Sequence, residues 1–131
     1  MIWSINTGGD VNEQQMLERN RGFIGFGIPE EDRINKKGNT TYKQFDKFKE
    51  LSNQGDIIYL YKNKLGYIAR GIYTGEYFEP QFRDEKARGW PQDEIQIHMG
   101  IIWTRFEMPI KPSADKVPRC TTLKLLTESP E

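Results

Sequence analysis

The chain has 131 residues, which is enough for one domain whose core needs neither a metal nor a disulfide. Its 19 basic and 19 acidic side chains cancel, and this excludes nucleic-acid binding through bulk positive charge. One cysteine excludes an internal disulfide framework, and no apolar run is long enough to span a membrane. Because residues 1–10 also lack signal-peptide features, a single cytoplasmic domain over residues 1–131 is expected.

The first third of the chain predicts two strands separated by a helix. Residues 1–6 form an apolar strand candidate. Asp10, with Glu13 three residues later, has the capping-box pattern of a helix that runs to residue 20. Residues 22–27 predict a strand in which alternating glycines leave one face without side chains.

A second helix is predicted from a capping-box pattern, Thr41 followed by Gln44, to a point near Asn53. Large side chains recur along one side of this helix at Tyr42, Phe45, Phe48 and Leu51. Such a stripe is typical of a helix that packs on a core, which is the preferred interpretation here.

The middle of the chain predicts a hairpin. Residues 56–61 form an apolar strand, and Asn63 tolerates the left-handed conformation of a tight turn. Strict alternation would then place the following residues on one face of the next strand: Leu65, Tyr67, Ala69, Gly71 and Tyr73. Both faces of that strand are largely apolar, which predicts a central position in the sheet.

A third long strand is predicted over residues 95–106, and the tail has one short helical possibility near residues 121–126. Five or so strands with two short helices predict an α+β fold. We expect a small bent mixed β-barrel with two or three short helices at its rim.

Side chains that carry catalysis in enzymes are isolated in this sequence. His98 lies inside a predicted strand without obvious partners, which favours a packed histidine. Cys120 has no spaced cysteine or histidine companions, so the usual zinc patterns are excluded. We therefore predict a binding protein without enzymatic activity, metal or cofactor.

The order of several short segments resembles the PUA-like superfamily: WSIN at 3–6, GFIGFG at 22–27, GDIIY at 55–59, GYIARG at 66–71 and GIIW at 100–103. The similarity is greatest to EVE and YTH-like domains, especially those at the N-terminus of McrB-type restriction ATPases. The resemblance implies a barrel whose mouth holds a flipped, modified base, such as a methylated adenine or cytosine, with DNA preferred over RNA. It also implies a fused or associated ATPase or nuclease. An RNA-binding regulator and a protein-interaction domain without a base pocket remain alternatives.

The resemblance assigns the following positions to a base-binding pocket: Trp3, Ser4, Asn6, Phe23, Gly25, Phe26, Trp90 and Trp103. Trp3, Ser4 and Asn6 match a strand that contributes polar contacts to the base edge. The segment around Gly25 and Phe26 matches one aromatic wall, and Trp90 lies in a loop that supplies another. YTH relatives have a tryptophan at the first wall, so here Phe23 or Phe26 must replace it.

Basic side chains outnumber acidic ones in residues 33–49, where Asp46 is the one carboxylate. The candidate phosphate contacts in and near the second helix are Lys36, Lys37, Lys43 and Lys47. The alternative is a solvated helix face that binds nothing.

Replacing these four lysines together with glutamine should weaken binding to modified and unmodified strands alike. Each lost phosphate contact should flatten the plot of log affinity against log salt by about one unit. Titrations at several salt concentrations measure this slope. An unchanged slope would show that the lysines are only a solvated surface.

Overall fold

The computed structural model describes residues 1–7, 10–24, 40–78, 97–118 and 123–131. In chain order its elements are β1 (Ile2–Asn6), α1 (Asp10–Arg19), β2 (Arg21–Ile24), α2 (Thr40–Leu51), β3 (Ile57–Lys62), β4 (Gly66–Phe78), β5 (Ile97–Ile110), a short 3-10 turn (Ala114–Lys116) and β6 (Leu123–Leu126). Neither α-helix in these ranges is long and apolar enough to cross a membrane.

The six strands form one curled, mixed sheet with the shape of a half-barrel, in the order β2-β5-β4-β3-β1-β6. β1 and β3 are parallel, whereas the other neighbours are antiparallel. The small bent mixed sheet with two helices agrees with the predicted α+β class. β4 lies between β3 and β5, which confirms the central position predicted from its two apolar faces.

A core that we call the helix-side core lies between the sheet and the two helices. Phe45 and Phe48 of α2 and Met16 of α1 are buried in it. The Phe48 ring contacts Trp3 and Tyr73 edge-on, with each pair of ring centroids 5.0 Å apart. Phe45 and Phe48 of the predicted stripe are therefore core, and the partly buried Leu51 packs against it, as the helical spacing predicts.

A β-bulge in β4 creates a second core on the opposite face of the sheet. Leu60 pairs with Ala69 but Tyr61 pairs with Tyr67, so Ile68 has no partner in β3. Ile68 and Ala69 both belong to the helix-side core, whereas Tyr67 is buried with Tyr59 and Tyr61 in what we call the tyrosine-side core. The alternation predicted for this strand is therefore wrong at Tyr67, because the extra residue changes the face.

Two further predictions are corrected by partners that are distant in the sequence. The helical possibility near residues 121–126 is wrong over its last four residues, which form β6 and pair with β1. This pairing covers an edge of β1 that would otherwise expose its backbone groups. At the hairpin turn the left-handed residue is Lys64, with φ 72°, rather than Asn63. The Asn63 side chain instead accepts a hydrogen bond from Asn6, at 3.2 Å.

Side chains in the predicted capping boxes also connect distant elements. Glu13 of α1 pairs with Lys62 at 2.5 Å and with Arg105 at 3.0 Å, and so joins the helix to β3 and β5. Gln44 of α2 accepts a 2.9 Å hydrogen bond from the backbone of Leu123 in β6. Both helices are present as predicted, but these side chains hold them to the sheet.

Asp56 connects the ends of three elements at the start of β3. Its carboxylate accepts hydrogen bonds from the backbone N–H of Asn53 at 3.0 Å, the Met1 amino group at 3.0 Å and the Trp3 indole at 3.4 Å. Burial by itself would raise the pKa of Asp56, but these donors outweigh it and hold the pKa below its usual value.

Replacing Asp56 with asparagine should lower the free energy of unfolding by about 1 to 3 kcal/mol, because buried donors lose a charged acceptor. Since the pKa is depressed in the folded state, this stabilisation is present above about pH 4 and is lost as the pH falls through the folded pKa. Urea unfolding at pH 7 and at pH 3 should show a smaller pH effect in Asp56→Asn than in the wild type. Asp46→Asn, at an exposed position, is the control. Equal pH effects in Asp56→Asn and the wild type would contradict this role.

Candidate functional site

Trp103 is a half-buried aromatic residue on the helix-side face of β5. Its indole N–H donates a 3.0 Å hydrogen bond to the carbonyl of Arg21, and its backbone N–H donates to the Asn20 side chain at 3.3 Å. Asn20 has a left-handed conformation, with φ 52°, and its carbonyl accepts from Ile101. The ring is therefore fixed in place while part of its surface is open to solvent.

One small residue of β4, Gly71, lies beside this ring. Gly71 pairs with Trp103 across the two strands. A Cβ atom at position 71 would lie 2.2 Å from Cγ2 of Ile101, and 2.7 Å and 2.8 Å from two carbon atoms of the indole ring. The ring thus lies directly over the Gly71 backbone, a position that only glycine leaves open.

One basic side chain lies on the same face of β5 as the indole. Arg105 is two residues further along β5, on the same face, and its side chain is 63% exposed although it pairs with Glu13. Arg21 begins the adjacent edge strand and contacts the indole through its backbone carbonyl, but it pairs with Gly100, so its side chain lies on the opposite face from Trp103. We call the group Asn20, Arg21, Gly71, Trp103 and Arg105 the Trp103 platform. An immobilised ring near an exposed guanidinium group is suited to stacking a planar ligand that carries negative charge.

Of the four lysines predicted to contact phosphate, the structure describes two, and both lie on α2. Lys43 and Lys47 lie one turn apart and are exposed. Neither makes an ion pair with the residues that the structure describes. Lys49 differs, since it pairs with Asp46 at 3.8 Å and lies 5.4 Å from the Phe45 ring centroid.

The structure does not bring the three predicted residues of β1 to one surface. Trp3 is 1% exposed in the helix-side core, so in this conformation it packs rather than lines an open pocket. Ser4 lies on the other face of the strand and is also buried. Asn6 is at the end of the strand, bonded to Asn63. Trp103 is the predicted tryptophan that the structure places at a partly open surface.

Several predicted residues fall outside the described ranges. These are Gly25, Phe26, Lys36, Lys37 and Trp90, and of Phe23 the structure describes the backbone alone, as part of β2. Their assignment to a pocket or a phosphate contact stays a prediction.

The sequence reasoning did not single out a cleft on the tyrosine-side face. It has a volume of about 450 Å³ and lies between residues 111–116 and 124–130, with Tyr67 on one wall. Three lysines line it: Lys111, Lys116 and Lys124. The cleft was not predictable from a tail helix, because the walls of the cleft form only when β6 pairs with β1.

The described residues offer no metal centre, since no three histidine, cysteine or carboxylate side chains cluster within those ranges. His98 is fully buried in β5, in agreement with the predicted packed histidine. No known protein-family model matches the chain, and a search of curated proteins finds no significant similarity. The resemblance to the PUA-like superfamily therefore stays a prediction.

Substituting alanine for Gly71 should lower the free energy of unfolding by about 1 to 3 kcal/mol, because the added methyl group would overlap the Ile101 side chain and the Trp103 ring. Thr104→Ala, at an exposed neighbouring position of β5, is the control and should change stability little. Urea denaturation measures both. If Gly71→Ala were as stable as the wild type, the indole would not be seated on the Gly71 backbone.

Proposed function

We propose that this chain is a non-catalytic nucleic-acid-binding module that accommodates a flipped, methylated base, with DNA preferred over RNA. It would act as the specificity domain of a restriction system of the PUA-like, EVE or YTH-like type. The observation that carries this proposal is the Trp103 platform. A fixed, partly open indole ring lies there, held by the backbone carbonyl of Arg21 and two residues from the exposed Arg105 on the same face of β5.

The energetics of base capture agree with such a surface. Extruding a base costs a few kcal/mol, and stacking on an aromatic ring returns about 1 to 3 kcal/mol. A buried methyl group adds only about 0.8 kcal/mol, so a preference for methylated bases needs a second, enclosing apolar wall. Trp90 and Phe26 are the candidates for this wall under the resemblance.

Phosphate contacts would supply the remaining affinity. The net charge is zero, so the contacts must come from local groups such as Lys43 and Lys47 on α2. The curled, mixed half-barrel sheet with two helices is compatible with a small α+β barrel, the fold class that this proposal requires.

The test compares the three tryptophans in binding and in stability. Trp90→Ala should weaken binding to methylated DNA by about 1 to 3 kcal/mol, a factor of roughly 5 to 150, and leave the melting temperature nearly unchanged. Trp103→Ala should lower both affinity and stability, the latter by about 3 to 5 kcal/mol. Trp3→Phe is the matched control, because Trp3 is core and its change should affect stability alone.

Fluorescence anisotropy with methylated and unmethylated DNA and RNA strands measures the affinities, and thermal melting measures the stabilities. If Trp90→Ala unfolds the protein while affinity per folded molecule stays constant, the pocket assignment is wrong. Absence of binding to every strand would favour the protein-interaction alternative. Cleavage of DNA by repurified protein with Mg²⁺ would contradict the non-catalytic role.

A further inference from the structure

The segment 127–131 places two carboxylates against cations on the tyrosine-side face. Glu131 accepts hydrogen bonds on one side-chain oxygen from Arg70 at 2.9 Å and from the Tyr59 hydroxyl at 2.6 Å. Glu128 pairs with Lys116 at 2.9 Å. One short segment thus neutralises two basic side chains that lie far apart in the sequence.

The two donors that hold Glu131, Tyr59 and Arg70, belong to the sheet. They are direct cross-strand partners on β3 and β4. The Tyr59 ring is 3% exposed, stacks on Phe106 at 6.3 Å between centroids and contacts Tyr67 edge-on at 5.8 Å. Because packing in the sheet positions the Tyr59 hydroxyl, it would keep its place if segment 127–131 moved away.

The Glu131 side chain that Tyr59 and Arg70 hold is an anion. The hydrogen bond from Tyr59, reinforced by Arg70, holds the pKa of the Glu131 carboxyl below its usual value, so this group is ionised at neutral pH. Phosphate oxygens accept the same charge-assisted hydrogen bonds from hydroxyl and guanidinium donors. A phosphate group is therefore chemically equivalent to the carboxylate at this position.

The neighbouring cleft extends the positive surface. Three lysines line it, Lys111, Lys116 and Lys124, against the two carboxylates Asp115 and Glu128, and residues 127–130 form one of its walls. Ser129, in the same wall, lies 3.1 Å from the Tyr59 hydroxyl. Displacement of the segment would therefore open the Tyr59 hydroxyl and Arg70 toward the cleft, and release Lys116 from Glu128.

We propose that Tyr59, Arg70 and Lys116 form a phosphate-binding site, and that Glu128 and Glu131 occupy it as an internal competitor. The ligand would be the phosphodiester backbone of a nucleic-acid strand, so this inference rests on the proposed function. Such a device limits non-specific binding, since unmodified strands must displace the segment without the added affinity of a captured base.

The test uses the full chain with Glu128→Gln and Glu131→Gln combined. Glu18→Gln with Glu76→Gln is the matched control, because it changes the net charge equally at exposed positions that make no ion pair within the described ranges. Thermal melting first confirms that both double variants fold as the wild type does.

The Glu128/Glu131 variant should bind an unmodified single-stranded DNA about three- to tenfold more tightly than the wild type. Two released cations should also steepen the slope of log affinity against log salt by about 1.4 units, at about 0.7 for each contact on a single strand. Adding Arg70→Gln should reverse about half of the change in slope. If the control double variant shows the same changes, net charge explains them and the proposal is wrong.

Tripolyphosphate, titrated by calorimetry, separates this inference from the proposed function. Binding of tripolyphosphate to the Glu128/Glu131 variant alone, without DNA binding by any form, would support the anion site and contradict the nucleic-acid function. DNA binding with equal affinity and salt slope in the wild type and this variant would support the function and overturn the internal competitor.

Discussion

The β-bulge at Ile68 is the constraint on which both faces of the sheet depend. Without the extra residue, strict alternation would place Tyr67 beside Ala69 on the helix side. With it, Ile68 and Ala69 complete the helix-side core, and Tyr67 packs against Tyr59 and Tyr61 on the other face. The central strand can therefore be apolar on both faces, because each face meets a separate core.

Gly71, on the same strand, determines where the Trp103 side chain of β5 can lie. Gly71 leaves the space in which the Trp103 ring lies, and the indole then reaches the carbonyl of Arg21 on the edge strand. A larger residue at position 71 would push the ring away from this hydrogen bond. Gly71 thus determines both the packing of β4 against β5 and the position of the partly exposed Trp103 ring.

Although the net charge is zero, individual charged side chains form specific ion pairs in the structure. Glu13 holds Lys62 and Arg105, and Glu131 holds Arg70. The paired arginines stay exposed on both faces, with Arg105 at 63% on the helix side and Arg70 at 46% on the tyrosine side. The two proposed surfaces lie on opposite faces of the sheet, so variants of Trp103 and of Glu131 act on separate contacts and can be combined without shared neighbours.

Local periodicity in the sequence was sufficient to predict the helices, the long strands and the core role of Phe45 and Phe48, because these depend on which residues share a face. The resemblance to the PUA-like superfamily, rather than periodicity, gave Trp103 as a candidate for the base-binding surface. The face of Tyr67, the strand β6 and the partners of Glu13, Gln44 and Glu131 were not predictable in this way. Each depends on a partner more than 40 residues away, or on a one-residue register shift, and only the tertiary structure brings those groups together.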